Sequence, residues 1–553
     1  MKQLKRCDFL DWLFMAMLLS VGIFHEFIGA AFSAALCVYL IVKMKKQLVL
    51  KNSFLGWTVA VLVFFYGFSA LYAVDKGMAW VGFWKFLPLI LYLVCLWQRE
   101  GSGQILHILP YFGAVTVILS IAGMYLPVAG DFFTVAGRLA GFFQYPNAYA
   151  LFLLICQLLL LQKGIRKWDY LVLAVLLGGL LYTGSRTVFV LAVAASLVWF
   201  VLGGKKQLWT VLGILGALAL AAVGVLLFGK GTVLHRYLTI SFTESTFVGR
   251  ILYTLDALPL LLKYPFGMGY YGYYCLQGSV QTGVYSVLYA HNDILQLFLD
   301  VGWIPAGLFL GAVIAYFCRK DLTWRQKLLP ATILAHCVFD FDLQFVALFI
   351  LLILFLEPEK GSTVVVKKGL HGIRVCAGVL AAMGVYMAVA LGLAFFEQRT
   401  VSHQLYPYNT ANQLQMLEVE EDLTRADALA EQILGHNRHC YGAYSIRAKY
   451  AYSVGDIAKM VQYKNEAIRL NPFNHTEYEE YCRWLINVIG LYEKQGDTQS
   501  VQLCQKELVE VKELLESNQQ RLSFLGKRIQ DQPVTELAED IIYYIDNRIG
   551  GAP

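Results

Sequence analysis

The feature that most limits what this chain can become is a succession of apolar runs, each about as long as a membrane crossing. A spanning helix needs about 20 mostly apolar residues. Such runs lie near 8–24, 27–44, 53–73, 80–97, 105–127, 145–162, 169–183, 188–203, 208–228, 291–317, 328–343, 344–357 and 375–395. Inside lipid the backbone must satisfy its own N–H and C=O groups, so segments of this kind fold as helices. The predicted fold class is all-α. A polytopic membrane helix bundle of about 13 spans occupies 1–395, and a soluble α-helical hairpin-repeat domain occupies 396–553. The runs at 328–343 and 344–357 are continuous, with Asp340 and Asp342 between them.

Charge is scarce and unevenly placed. Of 553 residues, 58% are apolar and 15% charged, where a soluble domain carries about 25% charged residues. A single soluble globule is excluded, as are disorder and collagen-like structure. Residues 396–553 hold 16 basic and 23 acidic side chains, an ordinary soluble density, while 1–395 hold 29 and 16. The net charge of +6 therefore hides a basic membrane part and an acidic tail. The basic excess sits in short loops between apolar runs and needs no nucleic acid as partner. The 11 cysteines form no CxxC pair and mostly lie inside apolar runs. They read as apolar fillers. No disulfide framework, close-spaced metal pair or cofactor is expected.

Lys and Arg concentrate in cytoplasmic loops of membrane proteins. With the N-terminus inside, the inner loops carry Lys43, Lys45, Lys46 and Lys51, then Lys163, Arg166 and Lys167, then Lys205 and Lys206, then Arg319, Lys320, Arg325 and Lys327. The outer segments carry few, among them Arg138, Arg186, Lys230, Arg236 and Arg250. An odd number of spans then puts the tail outside the cytoplasmic membrane. The first run follows Lys2, Lys5 and Arg6 without a small-residue cleavage site, and reads as a retained span. One long outer segment, 229–290, is rich in Tyr and Gly, above all from Tyr264 to Tyr274. Its residues 247–262 have helical spacing and suit a helix lying along the membrane surface. In the tail, Gly455-Asp456 and Gly496-Asp497 each precede a helical pattern, and Asn471-Pro472 closes one. This resembles tetratricopeptide hairpins. Two or three hairpins and a terminal helix at 533–547 are expected.

Charged groups at the outer edge of lipid are costly unless they have a task or a partner. Arg138 precedes Gly141-Phe142-Phe143-Gln144-Tyr145-Pro146-Asn147, where a span begins. Arg186 lies in the turn Thr183-Gly184-Ser185-Arg186-Thr187, Arg250 opens the possible surface helix, and His291-Asn292 opens the tenth span. Together they suit a phosphate at the outer interface. Guanidinium groups offer planar donor forks to phosphate and can neutralise a leaving pyrophosphate. A histidine can take a proton from an acceptor hydroxyl. Each also has an ordinary role, as a headgroup anchor or a helix cap. Asp340-Phe341-Asp342 reads either as a metal-binding carboxylate pair or as the turn between two spans, and Asp300 reads as structural. The aromatic run at 264–274 suits either sugar stacking or an interfacial belt.

The order Arg-x-x-Gly-x-Phe-x-x-Pro-Asn at 138–147, Ser-Arg-Thr at 185–187, Arg250, Pro-x-Gly-x-Gly at 265–269 and His291-Asn292 resembles the O-antigen ligase and O-antigen polymerase family of bacterial membrane proteins. The resemblance covers roughly 50–360, and 130–310 is its specific part. It implies a GT-C-like, metal-independent glycosyltransferase that moves a glycan from undecaprenyl pyrophosphate to an acceptor hydroxyl outside the cytoplasmic membrane. The acceptor would be a glycan, a lipid or a protein. The resemblance further implies that Arg186 and Arg250 bind the pyrophosphate and that His291 is the base or orients the acceptor. Arg138 and Asn147 would shape the donor site, and Asn292 would help hold the loop. The short outer loop at 128–144 and Asp340-Phe341-Asp342 depart from the pattern. A second reading is a transporter of the same lipid-linked oligosaccharide. Transporters place polar sites near the bilayer midplane within internal repeats, whereas here the charges gather at the outer edge and no repeat is visible. The helical tail is expected to bind a protein partner.

Overall fold

The structure is a computed structural model. It describes residues 7–44, 46–99, 104–127, 129–166, 168–203, 216, 236–237, 244–357 and 362–549. The ninth apolar run, 208–228 apart from residue 216, and Lys2, Lys5, Arg6, Lys45, Lys167, Lys205, Lys206 and Lys230 lie outside the described residues. The fold is 75% helix and 3% strand, which makes it an all-α protein.

Eight helices among the described residues are long and apolar enough to cross a membrane. They are Glu26–Lys43, Phe54–Leu71, Lys76–Trp97, Ile105–Met124, Pro146–Lys163, Arg186–Gly203, Ser245–Lys263 and Leu370–Phe395. Phe9–Leu19, Asp169–Thr183, Trp303–Cys318 and Val346–Leu356 are apolar but shorter. One expected span is broken. The run at 291–317 becomes Asp293–Val301 and Trp303–Cys318 because Gly302 takes φ +85°, ψ −179°. Only glycine adopts such a conformation freely, and Pro305, three residues on, has no N–H to give to an unbroken helix. The helix expected at 247–262 runs Ser245–Lys263.

The chain divides into two compact units. The first comprises Met1–Phe68, Val81–Ser241 and His291–Gly392. Its centre is Pro146–Lys163, buried along nearly its whole length and packed by Ile105–Met124, Asp169–Thr183 and Trp324–Cys337. A helix that is apolar all round must be enclosed, and Val346–Leu356 is enclosed in the same way. Polar anchors are few. Asp8 caps Phe9–Leu19, Asp11 completes a capping box, and Arg99 grips the buried Asp11 carboxylate at 3.0 and 2.8 Å. The loops at Leu48–Asn52 and Ser362–Val366 pair as a two-stranded antiparallel ribbon.

The second unit comprises Ser69–Trp80, Phe242–Ala290 and Leu393–Pro553. Its tail folds as successive helices, including Leu423–His436, Tyr441–Ser453, Ile457–Leu470, His475–Gln495 and Thr498–Ser517. The two Gly-Asp turns work as their chemistry requires. Gly455 and Gly496 take φ +78° and +74°, the left-handed conformation that ends a helix. Asp456 and Asp497 then cap the next helix by accepting from Lys459 N and Ser500 N at 3.1 Å each. The terminal helix begins only at Glu539. Burial pushes the Cys440 and Cys482 thiols up to about 11 and about 12, so both stay protonated fillers at neutral pH.

Buried carboxylates bind the irregular segments of this unit together. Asp256 accepts from Thr282 N at 2.8 Å, Thr282 Oγ1 at 2.7 Å and Tyr285 Oη at 3.0 Å. Asp75, fully buried, accepts from Met78 N at 2.8 Å, Thr410 Oγ1 at 2.5 Å and Asn437 Nδ2 at 2.9 Å. Next to it, a Cβ on Gly77 would stand 1.8 Å from Tyr408 O, so this close approach needs glycine. Asp75→Ala would strand two buried side-chain donors at a cost of about 1–3 kcal/mol each. The expected outcome is faster proteolysis of the second unit and a thermal midpoint lowered by several degrees. A midpoint equal to that of the parent would show that the clamp carries no stability.

Candidate functional site

The expected site residues of the first unit meet at the carboxylate of Asp340. Arg138 stands in a short hairpin, Thr134–Val135 against Arg138–Leu139. Its turn residues Ala136 and Gly137 take φ +50° and +73°, a turn that matches strand twist. From there Arg138 Nε donates to Thr183 O at 2.7 Å, and Nη2 donates to Asn147 Oδ1 at 2.8 Å. Asn147 lies in the first turn of Pro146–Lys163, where Pro146 starts the helix without an N–H to satisfy. Asn147 Nδ2 donates to Asp340 Oδ2 at 2.8 Å, and Tyr145 Oη donates to Asp340 Oδ1 at 2.9 Å.

His291 faces the same carboxylate. Its Nδ1 is 3.5 Å from Asp340 Oδ1, longer than a normal hydrogen bond. The imidazole meets the Phe341 ring edge-on at 4.9 Å, and Tyr145 stacks on Phe341 at 4.7 Å. The His291 backbone has φ +51°, which costs a non-glycine residue roughly 1–2 kcal/mol. Asn292 follows as the cap of Asp293–Val301, its Oδ1 accepting from Leu295 N at 3.0 Å.

Guanidinium groups gather where Asp169–Thr183 ends. The carbonyls of a last helical turn lack helical partners and attract cations. Thr183 O is taken by Arg138, and Leu181 O accepts from Tyr237 Oη at 2.9 Å. Gly184 turns the chain with φ +62°, and Arg186 starts the next helix. Arg186 and Arg236 act on each other as like charges. The charges of Arg138 and Arg236 both reach Tyr237. The first unit thus brings Arg138, Asn147, His291 and Asn292 into one connected neighbourhood, with Arg186 in the turn that Arg138 grips. Arg250 belongs to the second unit, on Ser245–Lys263, where its carbonyl accepts from Thr254 Oγ1 at 3.0 Å.

Two residues that sequence reasoning left out of the site, Asp340 and Arg236, are part of this arrangement, and a buried lysine of the same unit was missed as well. Asp340 is the hub, and its place in the motif Asp340-Phe341-Asp342 was its only signal. Arg236 was visible only as one of several outer arginines. Lys85, fully buried, lies over the Phe24 ring at 4.9 Å, and Glu26, Asp300 and Asp293 oppose its charge. Its place inside an apolar run hid it. The two carboxylates of the motif have different tasks, because Asp342 pairs with His336 instead. Asp293, Cys337 and Asp342 offer atoms within 4.8 Å of one another, the one trio among the described residues able to hold a metal ion. Leu343 N donates to Asp293 Oδ2 at 2.8 Å, while Asp293 Oδ1 is buried without a hydrogen-bond partner.

This arrangement can orient an imidazole beside a buried carboxylate and hold positive charge at a helix junction. Asp340→Ala would leave the Tyr145 and Asn147 donors without their acceptor, at about 1–3 kcal/mol each. A clear drop in the thermal midpoint of the detergent-purified protein is expected. A midpoint unchanged within error would mean that the hub does not hold these segments.

Residues 171–310 match the family model described as O-antigen ligase. The matched segment contains Arg186, Arg250, His291 and Asn292 and stops short of Asp340. No curated protein and no solved structure matches the chain. With its long apolar helices, the chain is a multi-pass membrane protein whose residues 171–310 are similar to the O-antigen ligase family.

Proposed function

We propose that this protein transfers a glycan from undecaprenyl pyrophosphate to an acceptor hydroxyl at the outer side of the cytoplasmic membrane, as a surface polysaccharide ligase or polymerase. The observation that carries the reading is the connected series Arg138, Asn147, Asp340 and His291 in a chain whose residues 171–310 match the ligase family. In this reading His291 takes the proton of the acceptor hydroxyl as its oxygen attacks the anomeric carbon. The bond from that carbon to the pyrophosphate oxygen breaks, and undecaprenyl pyrophosphate leaves with the electron pair. Asp340 steadies the imidazole as it gains charge, the role a buried carboxylate plays beside a catalytic histidine. Arg186, with Arg236 nearby, meets the charge on the leaving group. Arg138 and Asn147 shape the donor site, and Asn292 fixes the backbone that presents His291. For Arg250 a part in binding the pyrophosphate rests on the sequence resemblance and the family match.

Positioned proton transfer contributes roughly 10²–10⁴-fold to a rate. His291→Ala is therefore expected to lower polymer transfer by at least about 100-fold with unchanged protein in the membrane. Full activity in that variant would remove the assignment. Deletion of the gene followed by mass analysis of lipid-linked precursor separates the two activities. Accumulated single units indicate a polymerase, and accumulated full chains a ligase.

Guanidinium groups supply the positive charge in this reading, so transfer is expected to survive EDTA. Loss of activity restored by Mg²⁺ or Mn²⁺ would give the role to a metal and direct attention to Asp293, Cys337 and Asp342.

A further inference from the structure

The Tyr- and Gly-rich stretch 264–274 belongs to the second unit. Within the second unit it forms one wall of a cavity of about 320 Å³, and the tail helices form the other. That volume lies at the small end of the range for ligand sites, about 300–1,000 Å³. The loop side presents Tyr271, Tyr274 and Tyr285, and the tail side adds Tyr441. A Cβ on Gly278, at the cavity's edge, would stand 1.9 Å from Leu470 O, so loop and tail meet with no room for a side chain there.

The polar atoms are unevenly used. Gln277 is spent on the loop itself, bonding Tyr274 O, Val287 O and Val287 N at 2.9–3.0 Å. Asn437 is spent on Asp75 and on His439 N. Gln281 is almost fully buried, and its amide nitrogen donates to Tyr285 O. Its Oε1, however, is a buried acceptor with no hydrogen-bond partner, and so is His439 Nδ1. Both residues line the cavity. Leaving such groups unpaired costs stability, so the site is poorly satisfied by the protein alone.

The charge pattern narrows the ligand. Among the described residues that line the cavity there is no Lys or Arg. Of its two glutamates, Glu477 is neutralised by Lys464 at 2.6 Å. Burial, with Arg469 and Lys263 nearby, holds the His439 imidazole below its ordinary range and hence neutral near pH 7. A phosphate or pyrophosphate would find no Lys or Arg in the lining and would meet the glutamates there. A compact molecule with apolar ring faces and many hydroxyls would find tyrosine rings to stack on and two unspent hydrogen-bonding atoms.

We infer that this cavity is a glycan-binding site, taking one or two uncharged sugar rings of the polysaccharide between the aromatic turn of the outer loop and the tail. The choice of a sugar from the transferred glycan rests on the glycan-transfer reading, while the cavity's chemistry stands apart from it. The site gives the tail a direct role in holding substrate rather than only in recruiting a protein.

The test uses the full-length protein purified in detergent. The probe is the oligosaccharide released by mild acid from the lipid-linked pool of the cells that make the protein. Equilibrium dialysis is expected to show saturable binding. Ser286→Trp, at the exposed edge of the cavity, and His439→Leu, which breaks no hydrogen bond of the fold described above, are each expected to raise the dissociation constant at least tenfold. Both should keep the parent's elution profile and thermal midpoint. Absence of saturable binding, or constants within twofold of the parent in both variants, would overturn the inference. Because the readout is binding, undiminished transfer by His291→Ala would defeat the transfer mechanism and leave this result standing.

Discussion

Removing a carboxylate from water is costly unless donors replace the water, and a helix bundle surrounded by lipid has few donors to spare. Asp340 is the point where the first unit meets this demand. Its acceptors are served by a tyrosine and an asparagine from the start of Pro146–Lys163, with a histidine from the chain just before Asp293–Val301 alongside. Arg138, from a hairpin, then fixes the asparagine. Neither Tyr145 nor Asn147 can move away without removing a donor from the buried carboxylate. The same requirement that makes the carboxylate expensive makes its neighbourhood rigid.

The same device recurs wherever the backbone leaves its helices. Asp75 and Asp256 in the second unit gather N–H and O–H donors from turns and loops whose groups have no helical partner. Regular segments need no such help. Pro146–Lys163 and Val346–Leu356 are enclosed by apolar side chains along nearly their whole length, and the tail hairpins pack aromatic and aliphatic side chains around Tyr478, Tyr481, Trp484 and Leu485. Asp75, Asp256 and Asp340 thus tie down irregular segments of this fold, and irregular places are where ligand-binding residues collect.

Most of the helical architecture is legible in the order of residues, because apolar length and Gly-Asp turns act locally. Asp456 and Asp497 cap their helices for reasons contained in a few neighbouring residues. The break at Gly302 was also written locally, in Gly302 and Pro305, but a long apolar run masks it. What sequence could not convey was pairing at a distance. Asp340 and Asp342 look alike in the motif, yet one receives Asn147 from 193 positions away and the other His336 from six. Lys85 is hidden in the same way, since its opposing charges come from Glu26 and Asp300. The arginines at the ends of apolar runs carried a readable signal because charge beside lipid is rare, whereas the grouping of Arg138 and Arg186 at the end of Asp169–Thr183 depended on how the helices pack.

The central claim is that Asp340 acts on glycan transfer through His291. A double-mutant cycle measures this coupling. Transfer rates would be taken for the parent, Asp340→Asn, His291→Ala and the combined variant in the same membranes. If the carboxylate works only by positioning and stabilising the imidazole, the combined variant should be no slower than His291→Ala alone. Losses that multiply, with the double variant slower than His291→Ala by the full Asp340→Asn factor, would show two independent contributions and contradict the account.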